Sequence, residues 1–388
     1  MKLFHRIDSL KIGMVAGEAS GDLLGASLIE ALKAQHANLE IVGIGGPLMQ
    51  AAGLVSLFPQ EALAVRGYIE VIKRLPKLWH IRRSLRAAFL KERPHVFIGV
   101  DAPDFNFGLE LALKTHDIRT IHYVSPSLWA WRAERIHKIK RAVDHMLVLF
   151  PIEPPIYKAA GIPVTFVGHP RAQELSQPLD AQSARTLLQL PNVPLFTLLP
   201  GSRVSEIEYM APLFFDTARK ILAHLPQAEF IVPLATRPSL DRFDQLLRQH
   251  AADLPLRRLF GHSMHAMLAS DLVIATSGTA TLEVALARRP MVISYRVSNT
   301  TYRMVKHQLK LPYVGLPNIL CGRFIVPEFL QYEATADNLA QAAINIWHDA
   351  PYRDWLQHQF AHLHHTLARD SAPLAAQAVL RVISGGPY

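Results

Sequence analysis

Short apolar runs alternate with amphipathic stretches along most of the chain. Leu10 to Ala16 is almost continuously apolar, as a strand buried on both faces would be. Ser20 to Lys33 follows with apolar positions at helical spacing. Further strands are predicted at Glu40 to Ile44, His95 to Val100, Thr120 to Val124 and His145 to Phe150. Helices fit between them, including Phe105 to Lys114 and Arg132 to Ala142. Such alternation predicts a parallel sheet with helices on both faces. Gly168 to Pro194 interrupts it, and its four prolines predict a linker with a short helix inside. The alternation then restarts: strand Leu195 to Leu199, helix Ser205 to Leu225, and strands Glu229 to Pro233, Leu272 to Ala275 and Met291 to Tyr295. The last ~55 residues read as helices only.

The pattern predicts an α/β protein of two Rossmann-like doubly wound domains with an interdomain cleft and a helical C-terminus. The expected divisions are 1–168, a linker 169–194, 195–350, and terminal helices 351–388. Those helices can cross back onto the first domain or onto a second chain, in a homodimer. Ligands of open α/β sheets sit beyond the carboxyl ends of the strands, so the polar residues just after each strand are the candidates.

Four strand ends stand out. In Ala275 to Glu283, a strand gives way to a small-residue turn and a helix. A helix N-terminus offers unpaired N–H groups and about half a positive charge to a phosphate. Ser277 is placed to cap, Gly278 leaves room for a ligand, and Thr279 shares a helix face with Glu283. A carboxylate one turn in suits the diol of a ribose, so a nucleotide diphosphate is expected. In Leu199 to Arg203, Gly201 and Ser202 form a turn, and Arg203 opens a helix where a cation is disfavoured without an anion nearby. A bound diphosphate, held by two parallel hydrogen bonds, answers that better than an ion pair with Glu206 or Glu208. Gly17 to Asp22 is a third small-residue turn into a helix, and it matches neither GxGxxG nor a Walker A loop. In Asp101 to Asn106, Asp101 sits at the mouth of the sheet, where it can take a proton from an alcohol. Asp104 is expected to cap the helix after Pro103.

Composition narrows the choices. The 388 residues suffice for two domains, and 50% apolar content means a large core. One cysteine, Cys321, allows no intrachain disulfide and fits a reducing compartment. No stretch reads as a signal peptide or a transmembrane helix. Metal signatures are missing, including an Asp-x-Asp pair and HExxH, so no metal is expected. Among the 19 histidines, His362, His364 and His365 read as a solvated face.

Net charge is +9, and its placement says more than its sum. Arg66 to Arg93 holds nine basic and two acidic residues. Apolar Ile69, Ile72, Leu75, Leu78 and Trp79 are interleaved there with Lys73, Arg74 and Lys77. Pro76 is expected to split the segment into two helices with an apolar, positively ringed tip. That suits an anionic membrane surface, whereas an ordinary amphipathic pair would turn its apolar side to the core. No recognition motif accompanies the charge, so nucleic acid is not the expected partner.

GEASGD, VDAPDFN, SPSLWAWR, VGHP, LLPGSR, TSGTATLE and YVGLPN follow one another across nearly the whole chain. Together they resemble the lipid-A-disaccharide synthase family, inverting GT-B glycosyltransferases of Gram-negative bacteria. The resemblance implies transfer from UDP-2,3-diacylglucosamine to 2,3-diacylglucosamine 1-phosphate without cofactor. The products are a β-1,6-linked tetraacyl disaccharide 1-phosphate and UDP. It implies a cytoplasmic enzyme attached peripherally to the inner membrane's cytoplasmic face. Carried onto this chain, Asp101 becomes the base, Arg203 and the amides near Ser277 to Thr279 receive UDP, and Glu283 holds the ribose. Asn318 joins the donor site, Glu18 and Ser20 face the donor, and Trp129, Trp131 and Arg132 line the acceptor side. The loop Asn299 to Tyr302 lies near the uracil and is polar where an aromatic is expected. The residues by themselves also admit another UDP-sugar enzyme of this fold, a 2-epimerase or peptidoglycan glycosyltransferase, or a non-catalytic binding module.

Overall fold

A computed structural model describes residues 9–63, 68–130, 133–177, 179–298, 302 and 311–386, without the side chains of 68–74. The chain forms two compact units. Unit 1 holds the residues up to Pro170 together with those from Leu367 on, and unit 2 is Arg171–Thr366.

In unit 1, β1 (Leu10–Ala16) leads into α1 (Ala19–Gln35), β2 (Leu39–Ile44), α2 (Pro47–Ala51) and β3 (Leu54–Ser56). Then come α3 (Tyr68–Glu92), β4 (Val96–Val100), α4 (Pro103–Lys114), β5 (Arg119–Tyr123) and α5 (Arg135–Ala142). β6 (His145–Val148), α6 (Pro154–Ala159) and β7 (Val164–Phe166) complete a parallel sheet ordered β3-β2-β1-β4-β5-β6-β7. α7 (Pro170–Glu174) and α8 (Ala181–Leu187) occupy the proline-rich connection.

Unit 2 repeats the scheme with β8 (Leu195–Leu199), α9 (Val204–His224), β9 (Glu229–Leu234), α10 (Arg237–His250), β10 (Leu256–Phe260) and α11 (Ser263–Ala269). β11 (Leu272–Thr276), α12 (Thr279–Leu286), β12 (Met291–Tyr295), α13 (Leu316–Cys321) and β13 (Glu328–Leu330) follow. Its parallel sheet runs β10-β9-β8-β11-β12-β13. α14 (Ala336–His348), α15 (Ala350–Leu367) and α16 (Ser371–Ser384) end the chain.

Both sheets reverse their strand order once, beside their first strand: between β1 and β4 in unit 1, and between β8 and β11 in unit 2. These are the crevices where open α/β sheets take ligands. The register Ala16↔Val100 sets Gly17 beside Asp101, and Ala275↔Leu199 brings the turns after β11 and β8 together.

Burial explains the elements. Every residue of β4, β8 and β11 is buried, as the continuous apolar runs require. α16 sets Ala375, Ala376, Val379 and Val382 into the same core cluster as Ile12, Met14 and Ile98. Two expectations are corrected. Pro76 lies inside the single helix α3 and does not divide it. Ile81, Leu85 and Phe89 of that helix are buried against Phe97, Leu109 and Leu113, and this packing offsets the hydrogen bond that Pro76 removes. His364 is buried and its Nε2 meets the Ala172 carbonyl at 2.7 Å, so only His362 and His365 face solvent.

Candidate functional site

At the first crevice the chain bends sharply. Asp101 and Ala102 are both left-handed, with φ of 54° and 45°. Such a backbone costs a residue with a Cβ about 1–2 kcal/mol, and it persists where surroundings over-determine it. Here they do. The Asp101 N–H donates to Tyr123 O at 2.8 Å. The fully buried Asn106 donates from Nδ2 to Asp101 O (2.8 Å) and to Val15 O (3.3 Å). Nearby, His122 Nδ1 and Glu110 Oε1 are hydrogen-bonded at 2.7 Å, and neither side chain is exposed. Burial pushes the Glu110 carboxyl up, with His122 opposing. Gly99 makes room for this ladder, since a Cβ there would stand 2.2 Å from Glu110 Oε1. The half-buried Asp101 is thus presented from a fixed turn.

Gly17 belongs to the same arrangement, because a Cβ on it would meet the Ala102 Cβ at 2.9 Å. Glu18 and Ser20 are exposed beside it. Asp22 is buried and accepts from Leu48 N and Met49 N at 3.0 Å each, which caps α2. Asp104 does not cap α4. Ala102 is the N-cap, and Asp104 is ion-paired with Arg135 at 3.0 Å.

The aromatic run sits around a buried carboxyl that no sequence pattern announced. Glu153 is 2% exposed and accepts from Phe150 N at 2.9 Å. Burial pushes it up to about 7. Ser125 and Trp129 face it, and Ser125 Oγ lies 2.6 Å from Tyr157 Oη. Trp131 and Arg132 lie outside the described residues. The VGHP run marks a chain crossing: Gly168 is left-handed (φ 86°), a Cβ there would stand 2.7 Å from Leu367 O, and His169 N donates to that carbonyl.

At the second crevice, Gly201 is left-handed (φ 116°). Glu206 Oε2 accepts from Ser202 N (2.9 Å) and Arg203 N (3.2 Å), while Oε1 pairs with Arg203 Nη1 at 3.1 Å. The anion beside Arg203 is therefore Glu206, and its position alone does not require a diphosphate. The Arg203 side chain is nevertheless 77% exposed, and an open pair of this kind contributes about 0–1 kcal/mol.

The turn after β11 also differs from expectation. Gly278, at φ 155° with open space where a Cβ would point, is the N-cap of α12. Ser277 does not cap; its hydroxyl donates to Val314 O at 3.2 Å. Glu283 is half-buried and ion-paired to Arg171 at 3.5 Å. Its carboxyl is raised by burial, with Arg171 opposing.

Asn318 has a structural task. It is fully buried, donates to Val326 O (2.9 Å) and Glu328 Oε1 (2.7 Å), and accepts from Ile325 N and Val326 N. That uses the bonding capacity of the amide, so no donor group remains for a ligand. Glu328 gathers Val314 N and Gly315 N in turn, which fixes the YVGLPN loop. Tyr302 meets Tyr332 edge-on at 5.9 Å, and 299–301 lie outside the described residues.

On α3, Leu75 and Trp79 are 51% and 56% exposed, Lys77 is exposed and Leu78 half-buried. The side chains of Ile69, Ile72, Lys73 and Arg74 lie outside the described residues. A groove of about 480 Å³ runs between this helix and the Asp101 turn, walled by Leu75, Leu78, Trp79 and Phe105 and reaching Glu18 and Ala102. No described helix is long and apolar enough to cross a membrane. Among the described residues no group of three His, Cys, Asp or Glu is placed to hold a metal ion.

Known proteins match the whole of this frame. The family of lipid-A-disaccharide synthetase matches residues 12–379. The chain is 59% identical to lipid-A-disaccharide synthase of Chromobacterium violaceum, covering 98% of this chain and 99% of that one. It is 51% identical to the synthase of Neisseria meningitidis serogroup A, covering 95% and 97%. Among solved structures, UDP-GlcNAc 2-epimerase from Neisseria meningitidis bound to UDP-GlcNAc has a TM-score of 0.63 at 10% identity, covering 97% and 100%. The glycosyltransferase of kitacinnamycin gives a TM-score of 0.63 at 14% identity, covering 97% and 99%. At such identities these two share the fold.

Proposed function

As the chain belongs to the lipid-A-disaccharide synthase family and is a glycosyltransferase of lipid A biosynthesis, we propose that its two crevices divide the reaction between them. Unit 1 supplies the base and unit 2 holds the nucleotide. The donor is UDP-2,3-diacylglucosamine and the acceptor 2,3-diacylglucosamine 1-phosphate. The carboxylate of Asp101 takes the proton of the acceptor 6-hydroxyl as its oxygen attacks the anomeric carbon of the donor in line. The bond from that carbon to the UDP oxygen breaks, and the configuration inverts.

The leaving diphosphate gains charge as it departs. The amides at Gly278 and Thr279, which open α12, receive it together with Ser277, Ser202 and Gly201 of the two turns. Arg203 reaches the same charge by leaving Glu206, at the small cost of an exposed pair. Glu283 accepts from the ribose hydroxyls, held in place by Arg171. Glu18 and Ser20 border the base in unit 1. The exposed Leu75 and Trp79, with Lys77, dock the protein peripherally on the cytoplasmic face of an anionic membrane, where both acylated substrates reside.

The observation that carries this reading is the strained turn at Asp101, held by a buried amide at the topological switch point. Mass spectrometry of products from both acylated substrates, with EDTA present, tests it. A tetraacyl disaccharide 1-phosphate is expected. Asp101→Asn is expected to lower kcat by about 10²–10⁴-fold while UDP affinity holds. Release of UDP by Asp101→Ala at the wild-type rate would remove the base from the mechanism.

A further inference from the structure

Arg82 of α3 lines the groove that ends at Ala102, beside the proposed base. It is half-buried. It makes no hydrogen bond or ion pair with any described residue. Two carboxylates line the same groove, yet neither pairs with it: Asp104 pairs with Arg135 instead, and Glu18 is exposed with no ion pair among the described residues.

The guanidinium nevertheless has a seat. Gly108 lies within α4, and a Cβ there would stand 2.6 Å from Arg82 Nη1 and 3.3 Å from Cζ. Glycine weakens a helix interior, and here the vacated volume is filled by the arginine head. Leu78, Trp79 and Phe105 form an apolar wall beside a cation that has no ion pair among the described residues. A planar fork of donors in such a place matches a phosphate monoester, which carries about −1.5 to −2 near pH 7. The groove therefore fits a ligand that is apolar along one side and doubly anionic at one end.

We propose that Arg82, seated over Gly108, binds the phosphate of the acceptor and selects the phosphorylated acceptor over its neutral counterpart. The assignment rests on the reading of Asp101 as the base, since only then is the acceptor the molecule in this groove. Arg82 binds substrate and takes no part in proton transfer.

Kinetics with two acceptors test the assignment: 2,3-diacylglucosamine 1-phosphate and dephosphorylated 2,3-diacylglucosamine, each with the acylated UDP-sugar in mixed micelles. The wild type is expected to prefer the phosphorylated acceptor by roughly 10–100-fold in kcat/KM. Arg82→Met should erase that preference through the acceptor KM, with the donor KM held. Arg82→Lys should keep part of it, because charge remains while the fork is lost. Gly108→Ala, which displaces the head without touching its charge, should also reduce it. An unchanged preference in Arg82→Met, or an equal loss on both acceptors, overturns the assignment. Should that variant not fold, the Arg82→Lys and Gly108→Ala preferences decide in the same way. If the wild type makes no disaccharide from either acceptor, the transfer reading fails first and the assignment with it. A working wild type with an unmoved preference sinks the assignment alone.

Discussion

At the scale of single residues, the proposed chemistry depends on side chains that never meet a substrate. Asn106 is one, because it holds the Asp101 carbonyl and the end of β1 together. Asn106→Ala leaves the Val15 and Asp101 carbonyls without that donor. A loss of about 2–4 kcal/mol in stability is expected from denaturant titration, with kcat reduced more than the donor KM. Glu153 gives a second prediction, in pH. Its folded value near 7 lies above the ordinary carboxylate range, so the folded form binds the extra proton between about 4.5 and 7. The stability it contributes is complete below about 4.5 and is lost as pH rises through 7. His145 acts oppositely: burial lowers it to about 4, so its contribution is present above about 6.5 and is lost as pH falls through 4. Glu153→Gln is therefore expected to gain stability over the wild type at pH 8 and to match it near pH 4.5. Urea midpoints at both pH values check this, and equal shifts at the two would contradict it.

At the scale of elements, the motifs announced themselves and their supports did not. The strands legible as apolar runs were the interior ones. β3, β7, β10 and β13 were not legible, and these four are the sheet edges, short and partly exposed, so nothing forces a continuous apolar run. The turns after β1, β4, β8 and β11 were readable because small residues and polar groups cluster where strands end. Their partners were harder to read. Glu328 lies 13 residues along the chain from Gly315, and Glu153 lies well beyond Ser125 and Trp129 that face it; a lone glutamate carries no local signal. Asn318 was placed at the donor site through the YVGLPN resemblance, and its satisfied bonds show only in three dimensions. Asn318→Ala should accordingly lower stability by roughly 2–4 kcal/mol through the YVGLPN loop, measured by hydrogen exchange around Val314 and Val326. The helix α3 yields another expectation. Leu75→Ser with Trp79→Ser should reduce sedimentation with anionic vesicles, and the wild-type binding should weaken as salt screens the basic residues.

At the scale of the whole molecule, the division into two units cuts across the order of the chain. Unit 2 is one continuous stretch, while unit 1 needs α16 for its core. Removing the residues from Leu367 on should strip five buried side chains from the β1–β4 core and speed amide exchange in unit 1, leaving the α9 and α14 core of unit 2 protected. Equal loss of protection in both units would show instead that they unfold together. The same feature sets a schedule for synthesis. Unit 1 emerges first from the ribosome and closes last. Its sheet must wait while the 196 residues from 171 to 366 are made, on the order of 10–40 s at ordinary elongation rates. During that interval the apolar faces destined for α16 stay uncovered on the nascent chain, and a chaperone has its natural point of engagement there.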